Sequence, residues 1–332
     1  MQEILSFIII ISLLFIFNLN RISDYLNIKD YPDNKRKLHI TPVPLLGGLV
    51  LIIPFIVLTL CIFFKPDFVF KILDLSFLEY FNFIFFSFLI FTVGLIDDKF
   101  EIKANLKLFL IFLIIFIYSS LDSSIIISSL NFSFLNEKFI LGKYSLPFTI
   151  FSILLFINAF NMFDGINLQC GLYSLFIFLI INFFQNFHFL SLVFIIQILL
   201  FLYLNFKNRT YLGDSGSLFL GFVISIIVIK NYNQQANFLY ADQIFILMMI
   251  PGFDLLRLAI QRSLKGIHPF SADRNHLHHY FLNKYSFLKT TIIIQLFLIL
   301  PFLISFYVKT YFIIIFVLIV YTLIILKLKD KN

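Results

Sequence analysis

Two adjacent carboxylates, Asp97 and Asp98, stand where a long apolar segment gives way to basic residues. Adjacent carboxylates repel each other, so the pKa of one should rise unless a cation neutralises the pair. Lys107 follows nine residues after Asp98, which corresponds to about 13 Å along a helix. We therefore expect these side chains to serve opposite ends of a substrate such as a diphosphate, with a solvated boundary pair as the alternative.

The segment 158–167 reads N-A-F-N-M-F-D-G-I-N and follows an apolar stretch. A spacing of three places Asn158, Asn161 and Asp164 along one stripe at the end of a helix. Amide and carboxylate oxygens are hard ligands that suit Mg²⁺, and they can also bind a nucleotide. Helix capping would explain Asp164 and Gly165, but it would explain neither asparagine.

The segment 211–221 reads Y-L-G-D-S-G-S-L-F-L-G and contains three of the 11 glycines of the chain. Glycine lets a backbone approach a phosphate closely, and Asp214 is a natural metal ligand. Gly216 and Gly221 are equally well explained by close packing between membrane helices, where small residues are common.

Four of the six histidines lie in the segment 268–279, which reads H-P-F-S-A-D-R-N-H-L-H-H. A zinc site is the obvious alternative, but no cysteine is near and Asp273 is the one close carboxylate. A cationic or hydrogen-bonding loop over phosphates fits this composition better. A further loop, from Arg21 to Gly48, is rich in basic residues, proline and glycine, and either a functional or an orienting role would explain it.

These clusters must be positioned by membrane helices. The chain has 332 residues, of which 61% are hydrophobic and 13% charged, and its mean hydropathy is +0.99. This composition excludes a soluble globular enzyme, a disordered chain and a disulfide-rich secreted domain. Since a span needs about 20 apolar residues, the sequence predicts an all-α integral membrane protein with about eleven transmembrane helices. They lie near residues 3–20, 45–64, 77–96, 105–121, 147–163, 170–186, 188–207, 215–230, 240–260, 287–307 and 310–326.

Lysine and arginine set the predicted orientation of these helices. With the N-terminus outside and the C-terminus cytoplasmic, six of the 25 basic residues fall outside: Lys65, Lys71, Lys138, Lys143, Lys230 and Lys309. That asymmetry favours the chosen orientation and explains the net charge of +7 without a nucleic-acid partner. We expect a single membrane domain whose active site is built from cytoplasmic loops, namely 21–44, 97–107, 158–169, 205–217 and 261–286.

The D-D pair, N-x-x-N-x-x-D-G, G-D-S-G-S and H-x-H-H together resemble the polyprenyl-phosphate N-acetylhexosamine-1-phosphate transferase family, from about residue 30 to residue 280. The resemblance implies an enzyme of the inner (cytoplasmic) membrane with a cytosolic active site. It would transfer a sugar 1-phosphate from a UDP-N-acetylhexosamine to undecaprenyl phosphate and release UMP, using Mg²⁺ or Mn²⁺. A homodimer is left open.

The resemblance also assigns roles to matching residues. Asp214 and Asn161 would hold Mg²⁺ against the diphosphate, which Lys107 would contact. Asp97 and Asp98 would orient or deprotonate the lipid phosphate, with the division between them open, and Asp164 belongs to the same catalytic group. Asn167, Tyr211 and Asn205 would contact the uridine. The loop that would close over the sugar phosphate contains Arg274, His276, His278 and His279.

Two departures from the family pattern bear on the substrate. The family often continues D-G-x-D-G-L, whereas this chain has Asn167 in place of the second aspartate. The muramoyl-pentapeptide branch carries P-H-F and three consecutive histidines, whereas this chain has H-P-F and H-x-H-H. It therefore resembles the branch that starts O-antigen, teichoic acid or related polysaccharides, with GlcNAc 1-phosphate favoured.

Two alternative functions remain open at this point. One is a phospho-N-acetylmuramoyl-pentapeptide transferase of peptidoglycan synthesis. The other is a secondary transporter of an anionic solute, since Pro54, Pro251 and Pro301 interrupt predicted spans. The polar clusters all fall on one predicted face, which speaks against the transporter.

Overall fold

The computed structural model describes residues 2–32, 41–73, 75–184, 188–234, 239–269 and 275–329. The described chain is built of helices, with two short antiparallel strand pairs. The helices are α1 Gln2–Phe17, α2 Leu19–Leu26, α3 Gly47–Phe64, α4 Pro66–Leu73, α5 Phe77–Phe100, α6 Ala104–Leu121, α7 Ser145–Phe163, α8 Gln169–Phe183, α9 His188–Phe206, α10 Gly213–Gln234, α11 Ala241–Leu264, α12 Leu277–Leu282, α13 Phe287–Ile304 and α14 Thr310–Lys329.

The strand pairs lie in loops between these helices. Strand β1 (Lys29–Asp30) pairs with β2 (Val43–Pro44), and β3 (Ser129–Leu130) pairs with β4 (Phe139–Ile140). Two short 3₁₀ helices, Ser123–Ile125 and Gly142–Tyr144, complete the loops around β3 and β4.

The membrane prediction is confirmed in its architecture. In the described part of the chain, nine helices are long and apolar enough to cross a membrane, and the bent pair α1–α2 would make a tenth. Each of the eleven predicted spans coincides with a helix, but α8 has only 15 residues. It begins after Leu168, whose left-handed φ of +68° is incompatible with one continuous right-handed helix from α7 to α8.

Helix α10 lies at the centre of the bundle and packs against α5, α7, α3 and α8. Its residues from Ser215 to Asn231 are all buried. Around it, the aromatic ring of Phe55 makes edge-to-face contacts with Phe83, Phe194 and Phe219 at centroid distances of 5.3–5.6 Å. Aromatic pairs favour particular ring orientations. Packing contacts of this kind hold the helices together, because lipid provides no hydrophobic force between them.

Glycines allow the N-terminus of α10 to sit against two neighbouring helices. A Cβ on Gly48 would lie 2.6 Å from the backbone nitrogen of Gly216, and one on Gly94 would lie 2.5 Å from the carbonyl oxygen of Asp214. The interpretation of Gly216 as a close helix contact is therefore confirmed. Because any side chain would push these backbones apart, the glycines fix the position of Asp214.

Polar contacts concentrate at the two ends of the bundle. We call the end at which α5, α7 and α9 finish, and α6, α8 and α10 begin, the site end. At the opposite end, Lys230 of α10 contacts Glu79 at 3.0 Å and Asp122 at 3.2 Å. The sequence placed Lys230 in an outer segment, and which side of the membrane this end faces stays a prediction. Its side chain is only 2% exposed, so it belongs to a buried ion-pair group rather than to a solvated loop.

Candidate functional site

The centre of the site is a lysine between two carboxylates from different helices. Lys107 Nζ lies 2.6 Å from Asp97 Oδ2 and 2.8 Å from Asp214 Oδ2. These contacts join α5, α6 and α10 at the site end. The three charges form a compact group, which we call the site triad.

The expectation that Asp97 and Asp98 lie at the far end of a substrate from Lys107 was wrong. The chain reverses after α5, where Glu101 adopts a left-handed φ of +50°. The Glu101 N–H donates to the Asp97 carbonyl at 2.9 Å, and the Ile102 N–H donates to Asp97 Oδ1 at 2.8 Å. The carboxylate of Asp97 thus stabilises the turn that brings Lys107 back to it.

Asp98 has different partners from its neighbour. Its carboxylate accepts hydrogen bonds from the backbone N–H groups of Asp214, at 2.7 Å, and Ser215, at 3.0 Å. A carboxylate in this position caps the helix and interacts favourably with the positive end of its dipole. Gly213 leads into this turn with a φ of +71°, and a Cβ there would lie 2.7 Å from Asp98 Oδ2. Asp98 therefore orients the backbone that carries Asp214.

Asn161 completes the surroundings of Asp214. Its Nδ2 donates to Asp214 Oδ1 at 2.7 Å and to Ser217 Oγ at 2.8 Å. The predicted stripe of amides is only partly formed, because Asn158 Nδ2 instead donates to the Leu154 carbonyl of its own helix at 2.7 Å. The metal ligands expected from the sequence, Asn161 and Asp214, are therefore adjacent.

Asp164 follows the last residue of α7 and lies at the edge of the same group. Burial, together with the nearby negative charges of Asp214 and Asp98, raises its pKa to about 8. The carboxyl group therefore carries a proton at neutral pH in the absence of a bound cation. In this form it can donate a hydrogen bond to a phosphate oxygen.

His278 of α12 lies against the α7–α8 turn. A Cβ on Gly165 would lie 1.9 Å from His278 Nε2, so the two residues are in direct contact. The His276 and His278 rings stack at a centroid distance of 5.4 Å, and His278 and His279 lie 4.4 Å apart. Burial lowers the pKa of His278 well below its usual value, so this ring contributes no charge to the site.

The remaining predicted residues connect loops at the site end. Asn205 Oδ1 accepts from the Leu168 N–H at 2.7 Å, and its Nδ2 donates to the Thr210 carbonyl at 3.0 Å. Asn167 Nδ2 donates to the Asn205 carbonyl at 3.2 Å. The Tyr211 N–H donates to the carbonyl of Pro44 at 2.9 Å, and burial raises the pKa of the Tyr211 phenol. Contacts of these residues with a nucleotide stay predictions.

Part of the predicted site lies outside the described residues. This applies to Arg274, to Asp273, and to the basic part of the first loop with Lys35, Arg36 and Lys37.

Asp254 is a site-end residue that sequence reasoning missed. It lies in α11, is 4% exposed, and accepts a hydrogen bond at Oδ2 from His276 Nδ1 at 3.1 Å. An ionisable residue within a predicted span is a functional candidate by default. Asp254 met that criterion within the span at 240–260, so the signal was present.

The donor set at the site triad fits a hard divalent cation. Asp97 and Asp214 face a common point, the Lys107 nitrogen, and Asn161 adds an amide if its oxygen turns towards the ion. Mg²⁺ is held by one or two carboxylates together with substrate phosphates, so this set is sufficient in type. Among the residues the structure describes, no group of three His, Cys, Asp or Glu side chains is placed to bind a metal.

Comparison with known proteins gives a consistent result. Residues 80–232 match the model of glycosyl transferase family 4. A probable undecaprenyl-phosphate N-acetylglucosaminyl 1-phosphate transferase from Bacillus subtilis is 30% identical over 274 residues, which is 78% of this chain and 71% of that protein.

Two further relatives are more distant in sequence and cover slightly more of the chain. The undecaprenyl-phosphate alpha-N-acetylglucosaminyl 1-phosphate transferase of Yersinia pestis is 26% identical over 84% of this chain and 76% of its own length. The protein of the same name from Escherichia coli K12 is 26% identical over 82% and 74%, respectively. With its helical membrane architecture and its four motifs gathered at one end, the chain belongs to the polyprenyl-phosphate N-acetylhexosamine-1-phosphate transferase family.

Proposed function

We propose that this protein transfers an N-acetylhexosamine 1-phosphate, with GlcNAc 1-phosphate favoured, from a UDP-sugar to undecaprenyl phosphate and releases UMP. The observation that carries the proposal is the site triad, a lysine between two carboxylates where apolar helices end. The names of the relatives, which specify undecaprenyl phosphate and N-acetylglucosaminyl 1-phosphate, favour this substrate pair over the muramoyl-pentapeptide nucleotide.

The reaction is a phosphoryl transfer. An oxygen of the lipid phosphate forms a bond to the β-phosphorus of the UDP-sugar, the bond from that phosphorus to the bridging oxygen breaks, and UMP leaves with the electron pair. Such transfers depend mainly on positioning and on neutralising charge. Since the lipid phosphate is already ionised, no strong general base is needed.

The residues of the chain divide this task. Lys107 exchanges one of its carboxylate contacts for the diphosphate, while Asp98 keeps Asp214 in place through the α10 backbone. Asp97 orients the attacking phosphate, and Asp164 contributes a further carboxyl group beside Asp214. Asp214 and Asn161, with Asp97, would hold Mg²⁺ or Mn²⁺, which when bound would neutralise charge on the diphosphate.

An apolar groove supports the assignment of a long-chain lipid as acceptor. It lies between α7 and α11, and its walls are formed by residues such as Ile153, Phe156, Phe245 and Phe253. Its lining extends to Ile127, Leu130 and Tyr232 at the opposite end of the bundle. An isoprenoid chain lying in this groove would be surrounded by apolar side chains.

The proposed sidedness places the site end in the cytoplasm, where nucleotide sugars are made, and the protein in the inner membrane. A cysteine introduced at Lys138, near the opposite end, should then react with an impermeant thiol reagent in intact cells. Reaction only after permeabilisation would reverse the orientation.

The test of the proposal is UMP release by the purified protein in detergent with undecaprenyl phosphate, Mg²⁺ and a panel of UDP-sugars. We expect turnover with UDP-GlcNAc and little with the muramoyl-pentapeptide nucleotide. Turnover only with the latter would assign the protein to peptidoglycan synthesis, and no turnover with any UDP-N-acetylhexosamine would overturn the proposal. The product lipid would serve as the starting unit of a cell-surface polysaccharide.

A further inference from the structure

Four groups donate hydrogen bonds to the buried carboxylate of Asp254. Its Oδ1 accepts from Arg257 Nη2 at 2.7 Å and from the Tyr321 hydroxyl at 2.8 Å. Its Oδ2 accepts from His276 Nδ1 at 3.1 Å, and the Leu277 N–H lies 3.3 Å from Oδ1. A buried carboxylate with this many donors is fixed in orientation, because moving it would leave several polar groups unpaired.

Arg257 and Tyr321 extend this network to two other parts of the fold. Arg257 Nε donates to the Tyr321 hydroxyl at 2.8 Å, and its Nη2 donates to the carbonyl of Asn275 at 2.6 Å. Tyr321 belongs to α14, and Asn275 precedes α12. The network thus fixes the start of α12 relative to α11 and α14.

The contact with Asp254 determines which nitrogen of His276 is available. A carboxylate at Nδ1 favours the tautomer with a proton on that nitrogen, which leaves Nε2 as the basic nitrogen of the neutral ring. His276 stacks on His278, and His278 contacts Gly165 beside Asp164. The His276 ring held by Asp254 is therefore connected to the residues around Asp214 through contacts with His278 and Gly165.

We propose that Asp254, held by Arg257 and Tyr321, is a positioning residue that fixes the orientation and tautomer of His276 and so presents Nε2 as the acceptor for a hydroxyl or amide N–H group of the nucleotide sugar. This inference rests on the proposed function for the identity of the ligand. The juxtaposition of Asp254, Tyr321 and His276 comes from the structure alone.

The decisive substitution is Asp254→Asn, which keeps the shape of the side chain. An amide at Oδ2 would donate to His276 Nδ1 and reverse the tautomer, so that Nε2 carries the proton. In a serine protease, the equivalent change at the aspartate behind a catalytic histidine lowers kcat by about 10⁴-fold. Here we expect kcat to fall about 10²-fold or more, with the KM for the nucleotide sugar changed only a few-fold.

The chain offers a matched control on the same helix. Asp242 of α11 is 3% exposed and accepts from the Ser133 N–H at 2.8 Å, at the opposite end of the bundle. Asp242→Asn should lower thermal stability to a degree comparable with Asp254→Asn and leave kcat unchanged. Equal loss of kcat in both variants would make Asp254 merely structural and overturn the proposal.

A double-mutant cycle tests whether Asp254 acts through His276. In the His276→Asn background, Asp254→Asn should cause little further loss of kcat, because the group it positions is absent. Multiplicative losses would contradict the proposal. If Asp254→Asn does not fold, Tyr321→Phe removes one hydrogen bond to the same carboxylate and should lower kcat several-fold; an unchanged kcat would count against the network.

A readout independent of turnover separates this inference from the proposed function. ¹⁵N spectra of histidine-labelled protein, recorded with the ring neutral and assigned with His276→Asn, should show His276 protonated at Nδ1 in the wild type and at Nε2 in Asp254→Asn. The same tautomer in both proteins would overturn the inference even if the enzyme is active. Failure of all UDP-sugars, with the expected tautomers present, would overturn only the proposed function.

Discussion

Each end of the helix bundle holds one lysine between two carboxylates, but the two arrangements differ in access. At the site end, Lys107 lies between Asp97 and Asp214, and 17% of its side chain is exposed. At the opposite end, Lys230 lies between Glu79 and Asp122 and is 2% exposed. Similar chemical groups are thus open to solutes in one place and enclosed in the other.

The surroundings of the carboxylates explain this difference. Glu79 belongs to a capping box with Ser76, and Asp122 accepts from the Ser124 N–H at 3.0 Å, so local contacts hold both acids beside Lys230. At the site end, Asp98 and Asp164 add carboxyl groups near Asp214, so acidic groups outnumber Lys107. An acidic excess around an accessible lysine suits the exchange of cations and phosphates, whereas an enclosed ion pair suits a structural role.

Among the substitutions that compare the two ends of the bundle, Lys107→Met should have the largest effect on activity. It removes the positive charge that we propose contacts the diphosphate, and loss of one such stabilising group costs about 10²–10³-fold in kcat. The measurement is steady-state UMP release at saturating substrates. Activity within a few-fold of wild type would remove Lys107 from the reaction.

Lys230→Met should have the opposite profile. Breaking a buried ion pair leaves Glu79 and Asp122 without their cation and costs about 3–5 kcal/mol of stability. Thermal unfolding in detergent should show a clear fall in Tm, while kcat per folded molecule stays within a few-fold. A large loss of kcat with unchanged Tm would contradict the structural role of this end.

Gly165→Ala tests the contact between the α7–α8 turn and α12. The new methyl group would lie 1.9 Å from His278 Nε2, so the ring must move. We expect kcat to fall about 10-fold, which corresponds to about 1.4 kcal/mol. An unchanged kcat in Gly165→Ala would argue against the contact.

A further expected effect is a pH dependence of stability rather than of activity. The pKa of Asp164 is raised to about 8, so the folded protein holds a proton that the unfolded chain releases at about pH 4. This residue therefore lowers stability as pH rises from about 4 to about 8. Asp164→Asn, measured by Tm against pH without divalent cations, should lose that part of the decline. Parallel curves for the two proteins would contradict the raised pKa.

The sequence indicated the site residues better than it indicated their arrangement. Asp97, Asn161 and Asp214 stand out because polar residues are rare at the ends of apolar segments, and the structure brings them together. The reversal after α5 was not predictable, because it depends on Glu101 in a left-handed conformation that non-glycine residues seldom adopt.

Long-range ion pairs likewise could not be predicted from the sequence. Lys230 and Glu79 are 151 residues apart, and neither segment contains a pattern that indicates the other as its partner. The role of Asp254 also depends on the packing of α14, which brings Tyr321 to it. Hydrophobic periodicity could not predict which helices make these contacts, since the helices are apolar on nearly every face.

The central claim is that sugar phosphate is transferred at the site end, around Asp214. The most direct test is transfer of radiolabel from UDP-[¹⁴C]GlcNAc to undecaprenyl phosphate by the wild type and by Asp214→Asn, at equal amounts of folded protein and with Mg²⁺. We expect labelled lipid from the wild type and none above background from the variant. Equal labelling by the two proteins, or an unlabelled lipid with the wild type, would contradict the claim.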